Sequence, residues 1–153
     1  MLALAETAAL SGEVPVGAVV CNGAWEILGR GANEILKRND PTAHAELLAI
    51  RAAAEFQKSE RLSDCVLVSS LEPCTLCSGA AVFARVKAVF YFAPVFTGVG
   101  MVRLFDVFSE SFNHRPPIIQ VTSFSERASR LLKDFFAKKR RGDSKELTTD
   151  ELV

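Results

Sequence analysis

Two short segments constrain the fold of this chain most strongly, because their side chains form a ligand set that has to meet at one point. Residues 40–46 contain His44, and residues 72–77 contain Cys74 and Cys77. Zinc prefers nitrogen and sulfur ligands, and three protein ligands leave its fourth tetrahedral position for water, whereas structural zinc has four protein ligands. The sequence therefore predicts a catalytic zinc site in which His44, Cys74 and Cys77 are the ligands.

Glu46 is predicted to carry protons rather than to bind the metal. Zinc with two thiolates and a neutral imidazole is formally neutral, so it acidifies water less than zinc with three imidazoles does, and a base is needed. His44 and Glu46 are roughly 200° apart around a helix, so they can serve one centre only at a first turn. Pro41 and Pro73, with Asp40 as a cap, predict that two helices begin beside the ligands.

These residues resemble the signature of the zinc-dependent nucleoside and nucleobase deaminases, H-x-E followed by P-C-x-x-C. Within that superfamily the chain is most similar to the bacterial tRNA adenosine deaminases, which convert adenosine to inosine in the anticodon loop. A lone C-x-x-C would also suit structural zinc or redox chemistry. The similarity extends over segments 13–19, 31–33, 40–46, 72–74, 113–115 and 131–136.

The resemblance implies an α/β fold, namely a cytidine deaminase-like three-layer α/β/α sandwich with a mixed five-stranded sheet. It also implies one zinc ion per subunit, a homodimer and the anticodon stem-loop of tRNA as partner. The substrate contacts that it implies are Val16, Asn33, Ala45 and Leu71. By composition alone, Val16 is equally typical of a core valine and Asn33 of a turn cap.

Length and charge place the chain among globular proteins of one domain. It has 153 residues and equal numbers of acidic and basic side chains. Its apolar runs are shorter than the ~20 residues that cross a membrane, and its first residues lack the basic start of a secretory signal, so a cytoplasmic location is expected. We expect a deaminase domain over residues 1–141 and a disordered polar tail over 142–153. Cys21 and Cys65 lie in apolar runs and are expected to be core thiols.

Hydrophobic patterning predicts alternating helices and strands after an initial hairpin. Strands are expected at 14–21, 25–31, 64–70, 86–92 and 118–121. Helices are expected at 1–10, 42–56, 74–85, 104–108 and 125–141, with a loop at 32–39. The aromatic stretch 90–108 is rich enough to form a subunit interface, and His114 is expected in a loop or interface rather than on zinc.

The stretch 94–98 departs from the tRNA deaminases, which commonly show Asp-x-Lys-Thr-Gly there. This chain has Pro-Val-Phe-Thr-Gly, so an acidic and a basic residue are replaced, whereas Thr97 remains. Phe96 could stack on a base, which is worth ~1–3 kcal/mol, or pack against a partner subunit. Leu71 is a second departure, because bacterial relatives often have an aromatic residue there.

Basic residues late in the chain are candidates for RNA contact, although such clusters are usually solvated helix ends. The candidates are Arg115, Lys138, Lys139, Arg140 and Arg141, besides Phe96 and Thr97. The leading hypothesis is conversion of adenosine to inosine at the wobble position of tRNA. The altered stretch 94–96 keeps a deaminase of a free nucleobase or nucleoside (cytosine, guanine or adenosine) as the alternative. A catalytically silent zinc-binding subunit is a third hypothesis, against which the presence of Glu46 argues.

Overall fold

The computed structural model describes residues 1–95, 100–108 and 112–146, with the backbone alone at 106–108 and 143–146. The predictions for Phe96, Thr97 and residues 147–153 lie outside these ranges. Strands are β1 (Gly17–Cys21), β2 (Ile27–Ala32), β3 (Val66–Leu71), β4 (Ala88–Ala93) and β5 (Ile118–Gln120). Helices are α1 (Leu2–Leu10), α2 (Ile35–Arg38), α3 (Ala45–Gln57), α4 (Thr75–Phe83), α5 (Met101–Phe108) and α6 (Ser125–Glu146).

The five strands form one mixed sheet in the order β2-β1-β3-β4-β5. β1 pairs antiparallel with β2 and with β3, whereas β3, β4 and β5 are parallel to one another. β3 is therefore the central strand, and its C-terminal end carries the chain directly to residues 72–77. Open α/β sheets place their sites at this edge, and the predicted mixed five-stranded sheet is confirmed.

Two glycines of β2 determine how closely α3 packs on the sheet. A Cβ at Gly29 or Gly31 would overlap backbone atoms of Ala49 or Ala45. The alanines of α3 that face β2 are themselves small, so the helix backbone approaches the strand directly. This contact fixes the position of the first turn of α3, which follows His44.

Helices cover both faces of the sheet. On one face, α3 and α4 enclose the larger apolar core, which includes Val20, Ile50 and Leu67. On the other, α6 places Leu132 in a second apolar cluster with Phe92 of β4, and α1 packs against β1, where a Cβ at Gly17 would overlap the helix backbone. The predicted three-layer sandwich is confirmed.

Several predicted boundaries are wrong. α3 begins at Ala45 rather than at 42, because Asp40 accepts hydrogen bonds from the backbone and hydroxyl of Thr42 and closes a turn instead of capping the helix. The expected loop at 32–39 contains the short helix α2. Helix α6 continues through Gly142 to Glu146, so residues 142–146 are helical rather than disordered.

The expected subunit interface at 90–108 falls partly outside the described residues. β4 is an interior strand whose residues are mostly buried by this chain, and Met101 and Leu104 of α5 are buried as well. These buried residues pack inside the subunit, and the homodimer stays a prediction. His114 lies in the connection before β5 with its Nε2 atom 2.8 Å from the carbonyl oxygen of Val86, away from the predicted ligands. Among the helices that the structure describes, none is long and apolar enough for a membrane crossing.

Candidate active site

The predicted ligands meet where two helices begin. His44 is the residue immediately before α3, with extended backbone angles, and Cys74 holds the same position before α4. Cys77 lies in the first turn of α4. The N-terminal ends of both helices thus converge on one point, where their free N–H groups and partial positive charge favour thiolates.

Distances among the three ligand atoms fit a zinc ion. The Sγ atoms of Cys74 and Cys77 are 3.7 Å apart, and each lies 3.6 Å from Nδ1 of His44. Tetrahedral zinc, with bonds of ~2.3 Å to sulfur and ~2.05 Å to nitrogen, separates two sulfurs by about 3.8 Å and a sulfur from a nitrogen by about 3.6 Å. The described residues hold no other group of three or more metal-binding side chains. His44, Cys74 and Cys77 form the zinc site.

The two thiols are electrostatically prepared for a cation. The hydrogen bond with Cys77, followed by that with His44, lowers the pKa of the Cys74 thiol to about 4. The same hydrogen bond to Cys74, together with burial, raises the pKa of the Cys77 thiol. Cysteine binds a metal as the thiolate, so a divalent cation held between the two sulfurs would displace their protons.

Glu46 lies in the first turn of α3 and is 3% exposed. Burial is the main cause that raises the pKa of its carboxyl group, and the nearby negative charge of Cys74 raises it further. A carboxyl group with a raised pKa can accept a proton and return it at neutral pH, which suits a general acid and base. His44, Cys74 and Glu46 line one cavity, whereas the side chain of Cys77 is fully buried and is not part of its wall.

This cavity has a volume of about 150 Å³, smaller than the ~300–1,000 Å³ of sites for drug-sized ligands. It accommodates a flat ring rather than a whole nucleotide. Of the predicted substrate contacts, Val16, Asn33 and Leu71 line it, whereas the side chain of Ala45 is fully buried and is not part of its wall. Sequence reasoning missed four wall residues, namely Val14, Ile35, Glu72 and Val95.

A larger groove of about 540 Å³ adjoins the cavity, since Val14, Leu71 and Val95 line both. Its far wall is α6, which contributes Leu132, Lys133, Phe136 and Arg140. Residues 133, 136 and 140 share one helix face, whereas four consecutive basic residues are spread around the helix at about 100° each. The structure therefore brings Arg140 to the groove, and it adds Lys133, which sequence reasoning missed.

The other predicted basic RNA contacts, all of them among the described residues, are not brought to this groove. Among the described residues, the groove wall includes none of Lys138, Lys139 and Arg141, and the ammonium group of Lys139 lies 5.6 Å from the ring centre of Phe135. Arg115 precedes β5, whose first residue pairs with Val89 near the start of β4. It thus lies at the sheet edge opposite the zinc site.

Glu72 connects the zinc site to the segment that follows β4. Its two carboxylate oxygens accept hydrogen bonds from the backbone N–H groups of Val102, at 3.0 Å, and Val95, at 3.2 Å. A Cβ at Gly100 would overlap this carboxylate. Glu72 therefore holds the residues on either side of 96–99 in place, one of which is a wall of the cavity.

Replacing Glu72 with glutamine is expected to lower the free energy of unfolding by about 1–3 kcal/mol, because an amide has one acceptor oxygen and leaves one of the two buried N–H groups unpaired. Urea denaturation followed by circular dichroism measures the change. Glu55→Gln, on the exposed side of α3, is the matched control. Equal midpoints for the two variants would show that Glu72 does not hold this segment.

Comparisons with known proteins agree with this geometry. The family model described as the cytidine and deoxycytidylate deaminase zinc-binding region matches residues 1–93. The tRNA-specific adenosine deaminase of Haemophilus influenzae is 38% identical over 91% of this chain and 80% of its own length. A solved structure from a study of A-to-I editing by tRNA:A34 deaminases at the wobble position of transfer RNA has a TM-score of 0.79 and 34% identity, covering 86% of this chain and 94% of that chain.

Two other relatives match differently. The tRNA(Ile)-lysidine synthase of Deinococcus radiodurans is 43% identical over 92% of this chain, which spans only 24% of that protein's length. The guanine deaminase of Bacillus subtilis is 50% identical over 52% of this chain and 50% of its own length. The zinc site, the buried glutamate and the family match lead to one conclusion: this chain belongs to the zinc-dependent cytidine and deoxycytidylate deaminase family and is a hydrolytic deaminase.

Proposed function

We propose that this deaminase converts adenosine to inosine at the wobble position of a tRNA anticodon. The observation that carries the proposal is a cavity the size of one base, lined by Glu46 and by the predicted zinc ligands His44 and Cys74, beside a larger groove that could take the neighbouring nucleotides. The choice of substrate rests on the relatives named as tRNA-specific adenosine deaminases, of which the chain covers most of the length. A base inside a folded anticodon loop reaches such a cavity by flipping out.

The reaction is a hydrolysis in which the protein mainly moves protons. Zinc held by His44, Cys74 and Cys77 would supply a Lewis acid that polarises the attacking water. Glu46 takes one proton from the attacking water and gives it to the ring nitrogen, and it then takes the second proton from the added hydroxyl and gives it to the departing amine. The carbon of the base gains an oxygen, its bond to the amine nitrogen breaks, and ammonia leaves.

Substrate contacts follow from the cavity walls. Val16 and Leu71 offer apolar surfaces to the flat faces of a base, and Asn33 offers an amide. Lys133 and Arg140 line the adjoining groove, where the RNA chain on either side of the flipped base would carry negative charge. Phe96 and Thr97 directly follow the wall residue Val95 in the sequence, and we include them as proposed RNA contacts. Arg115 is left out because of its place at the opposite sheet edge.

A direct assay distinguishes this substrate from smaller ones. Purified protein is incubated separately with tRNA transcripts and with free adenosine, adenine, guanine and cytosine. We expect inosine in the tRNA, detected by mass spectrometry of nuclease digests, and little ammonia from the small molecules. Ammonia from the small molecules alone would overturn the RNA substrate.

Guanine is the specific alternative to test, because the guanine deaminase of Bacillus subtilis matches half of this chain at 50% identity. The alignment covers 50% of that guanine deaminase, whereas the alignment with the tRNA-specific deaminase of Haemophilus influenzae covers 80% of that protein. The cavity volume does not by itself separate one purine from another. In the assay above, xanthine formed from guanine at a higher kcat/KM than inosine in tRNA would support the alternative.

We also propose that two copies of this chain associate through the outer face of α4. Leu76, Gly79 and Phe83 lie on one face of α4. Phe83 is 85% exposed and Leu76 is 44% exposed, and a Cβ at Gly79 would meet no other atom. An exposed apolar strip with a central glycine lets two helices approach closely. The family resemblance implies a homodimer, which makes a second copy the expected occupant.

Mass measurement in solution tests the dimer. Light scattering after size exclusion is expected to give twice the chain mass for the wild type and one chain mass for Phe83→Asp. Leu10→Asp changes an equally exposed side chain on the opposite layer and should remain dimeric. A dimeric Phe83→Asp variant, or a monomeric wild type, would contradict the proposal.

A cytoplasmic location also fits the site. All four cysteines of the chain are free, and two of them are zinc ligands that must stay reduced. Reducing compartments keep thiols in that state, whereas oxidising ones favour disulfides. We therefore propose the cytoplasm as the place of action.

A further inference from the structure

A buried carboxylate outside the zinc cavity has no role in the chemistry described so far. Glu13, in the connection between α1 and β1, is 2% exposed. One oxygen accepts a hydrogen bond of 3.1 Å from Nδ2 of Asn33, and the other accepts one of 2.9 Å from the backbone N–H of Lys37. Both partners belong to the segment that follows β2, and Asn33 is a wall of the zinc cavity.

Glu13 determines which end of the Asn33 amide faces the cavity. A carboxylate that receives two N–H groups is an acceptor only, so the amide nitrogen of Asn33 has to point toward it. The backbone N–H of Asn33 is fixed as well, through a 3.0 Å hydrogen bond to the carbonyl of Val16. Rotation of the amide would place two oxygens against each other. The orientation is therefore set by chemistry and not by shape.

The amide oxygen of Asn33 is the atom left over. Within the described part of the chain no hydrogen bond to Oδ1 of Asn33 is formed, and no fully buried side-chain oxygen or nitrogen lacks a partner. The oxygen is therefore in reach of a molecule in the cavity. Asn33 lines both the zinc cavity and a small cavity that Glu13 also lines, so an amide nitrogen directed at Glu13 leaves the oxygen directed toward the zinc cavity.

We propose that Glu13 is a positioning residue that holds Asn33 as a hydrogen-bond acceptor toward the substrate. The site then requires a hydrogen-bond donor at this point of the substrate, such as a ribose hydroxyl. The negative charge of Glu13 also polarises the amide and strengthens its oxygen as an acceptor. This inference rests on the proposed function for the identity of the substrate, but the hydrogen-bond direction does not.

The substitution Glu13→Gln is expected to reverse the direction of the hydrogen bond between residues 13 and 33. Adding Asn33→Asp is expected to restore an acceptor toward the cavity. In Glu13→Gln the backbone N–H of Lys37 still needs the new amide oxygen, so the new amide nitrogen points at Asn33. Asn33 then turns over and presents N–H groups to the cavity, with every hydrogen bond inside the protein still satisfied. Asn33→Asp alone places two carboxylates together. In the double variant the amide at position 13 donates to the carboxylate at position 33. The other carboxylate oxygen at position 33 then faces the cavity as an acceptor.

The four proteins are compared by steady-state kinetics on the tRNA substrate and by urea denaturation. For Glu13→Gln we expect KM to rise roughly tenfold with kcat within about threefold of wild type, because a hydroxyl can accept as well as donate and recovers part of the contact. Its unfolding midpoint should match that of the wild type. Asn33→Asp should lose at least about tenfold in kcat/KM and unfold at lower urea. The double variant should return to within about threefold of wild type in kcat/KM.

The pattern separates positioning from simple structural support. A residue needed only for folding would change KM only together with the unfolding midpoint, and a second substitution at Asn33 would add to the damage. A rise in KM of less than about fivefold for Glu13→Gln, or a double variant no better than the product of the single effects, would overturn the inference. If the wild type acts on a free base instead, the proposed function fails, and the same four proteins are compared on that base with the same criteria.

Discussion

Replacing Glu46 with alanine is expected to lower kcat by about 10²–10⁴ while zinc remains bound. General acid and base catalysis contributes roughly this factor. Of the two glutamates that line the cavity, Glu72 already accepts hydrogen bonds from Val95 and Val102, which leaves Glu46 to carry protons. The three zinc ligands are His44, Cys74 and Cys77, and the substitution removes none of them. Steady-state kinetics on the substrate that the wild type deaminates measure kcat, and mass spectrometry measures the zinc content.

Stability gives an independent control for this variant. Burial raises the pKa of the Glu46 carboxyl group, which means that the folded protein disfavours its charge. Removing the carboxyl group should therefore leave the unfolding midpoint unchanged or raise it, apart from the small cavity left behind. Glu55→Ala, on the exposed side of α3, serves as the matched substitution. Wild-type turnover in Glu46→Ala would refute the assignment, and so would loss of zinc together with activity.

The zinc site could be predicted because its geometry is encoded locally. His44 and Glu46 are separated by one residue at a helix start, and Cys74 and Cys77 by two, so each helix start delivers its groups with little help from the rest of the fold. The convergence of the two starts depends on the fold, because α3 packs closely on Gly29 and Gly31 of β2 and β3 ends just before Cys74. The family signature adds that the pairs occur together in a known fold.

The hydrogen bonds that support the site could not be predicted. Glu13 reaches Asn33 across 20 residues, and Glu72 reaches Val95 and Val102 across 23 and 30 residues. Which carboxylate meets which N–H group depends on strand register and loop path, which no local pattern records. Similarly, Ala45 was predicted as a substrate contact from its place in the motif, whereas the close approach of α3 to Gly31 buries it.

The predicted helix boundaries were wrong where a residue type suits two local structures. Asp40 is a residue type that often caps helices, but its carboxylate accepts a hydrogen bond from Thr42 and closes a turn. Helix α3 therefore begins later, at Ala45. Gly142 has the composition of a helix stop, yet α6 continues to Glu146. Propensity is a weak prior in such cases, because the alternatives differ by about 1 kcal/mol or less.

Removal of one zinc ligand is the second change with a large expected effect. Cys74→Ser is expected to abolish zinc binding at micromolar zinc and to lower turnover below detection. The serine hydroxyl does not ionise as the thiol does, whose pKa the site lowers to about 4, so the cation loses one negative ligand and two helix N-termini lose a compensating charge. Zinc content and activity are measured on the same preparation.

The structural effect should accompany the chemical one. A ligand that binds only the folded state stabilises it by about 4 kcal/mol at 1,000 times its Kd, so metal-free protein should unfold at distinctly lower urea. Chelation of wild-type protein should reproduce this loss, and added zinc should reverse it in the wild type but not in Cys74→Ser. Cys65→Ser is the control, because burial raises the pKa of that thiol to about 11 and its hydrogen bonds with Gln57 and Asp64 suit a hydroxyl equally. Full turnover by chelated wild-type protein would remove the metal from the reaction.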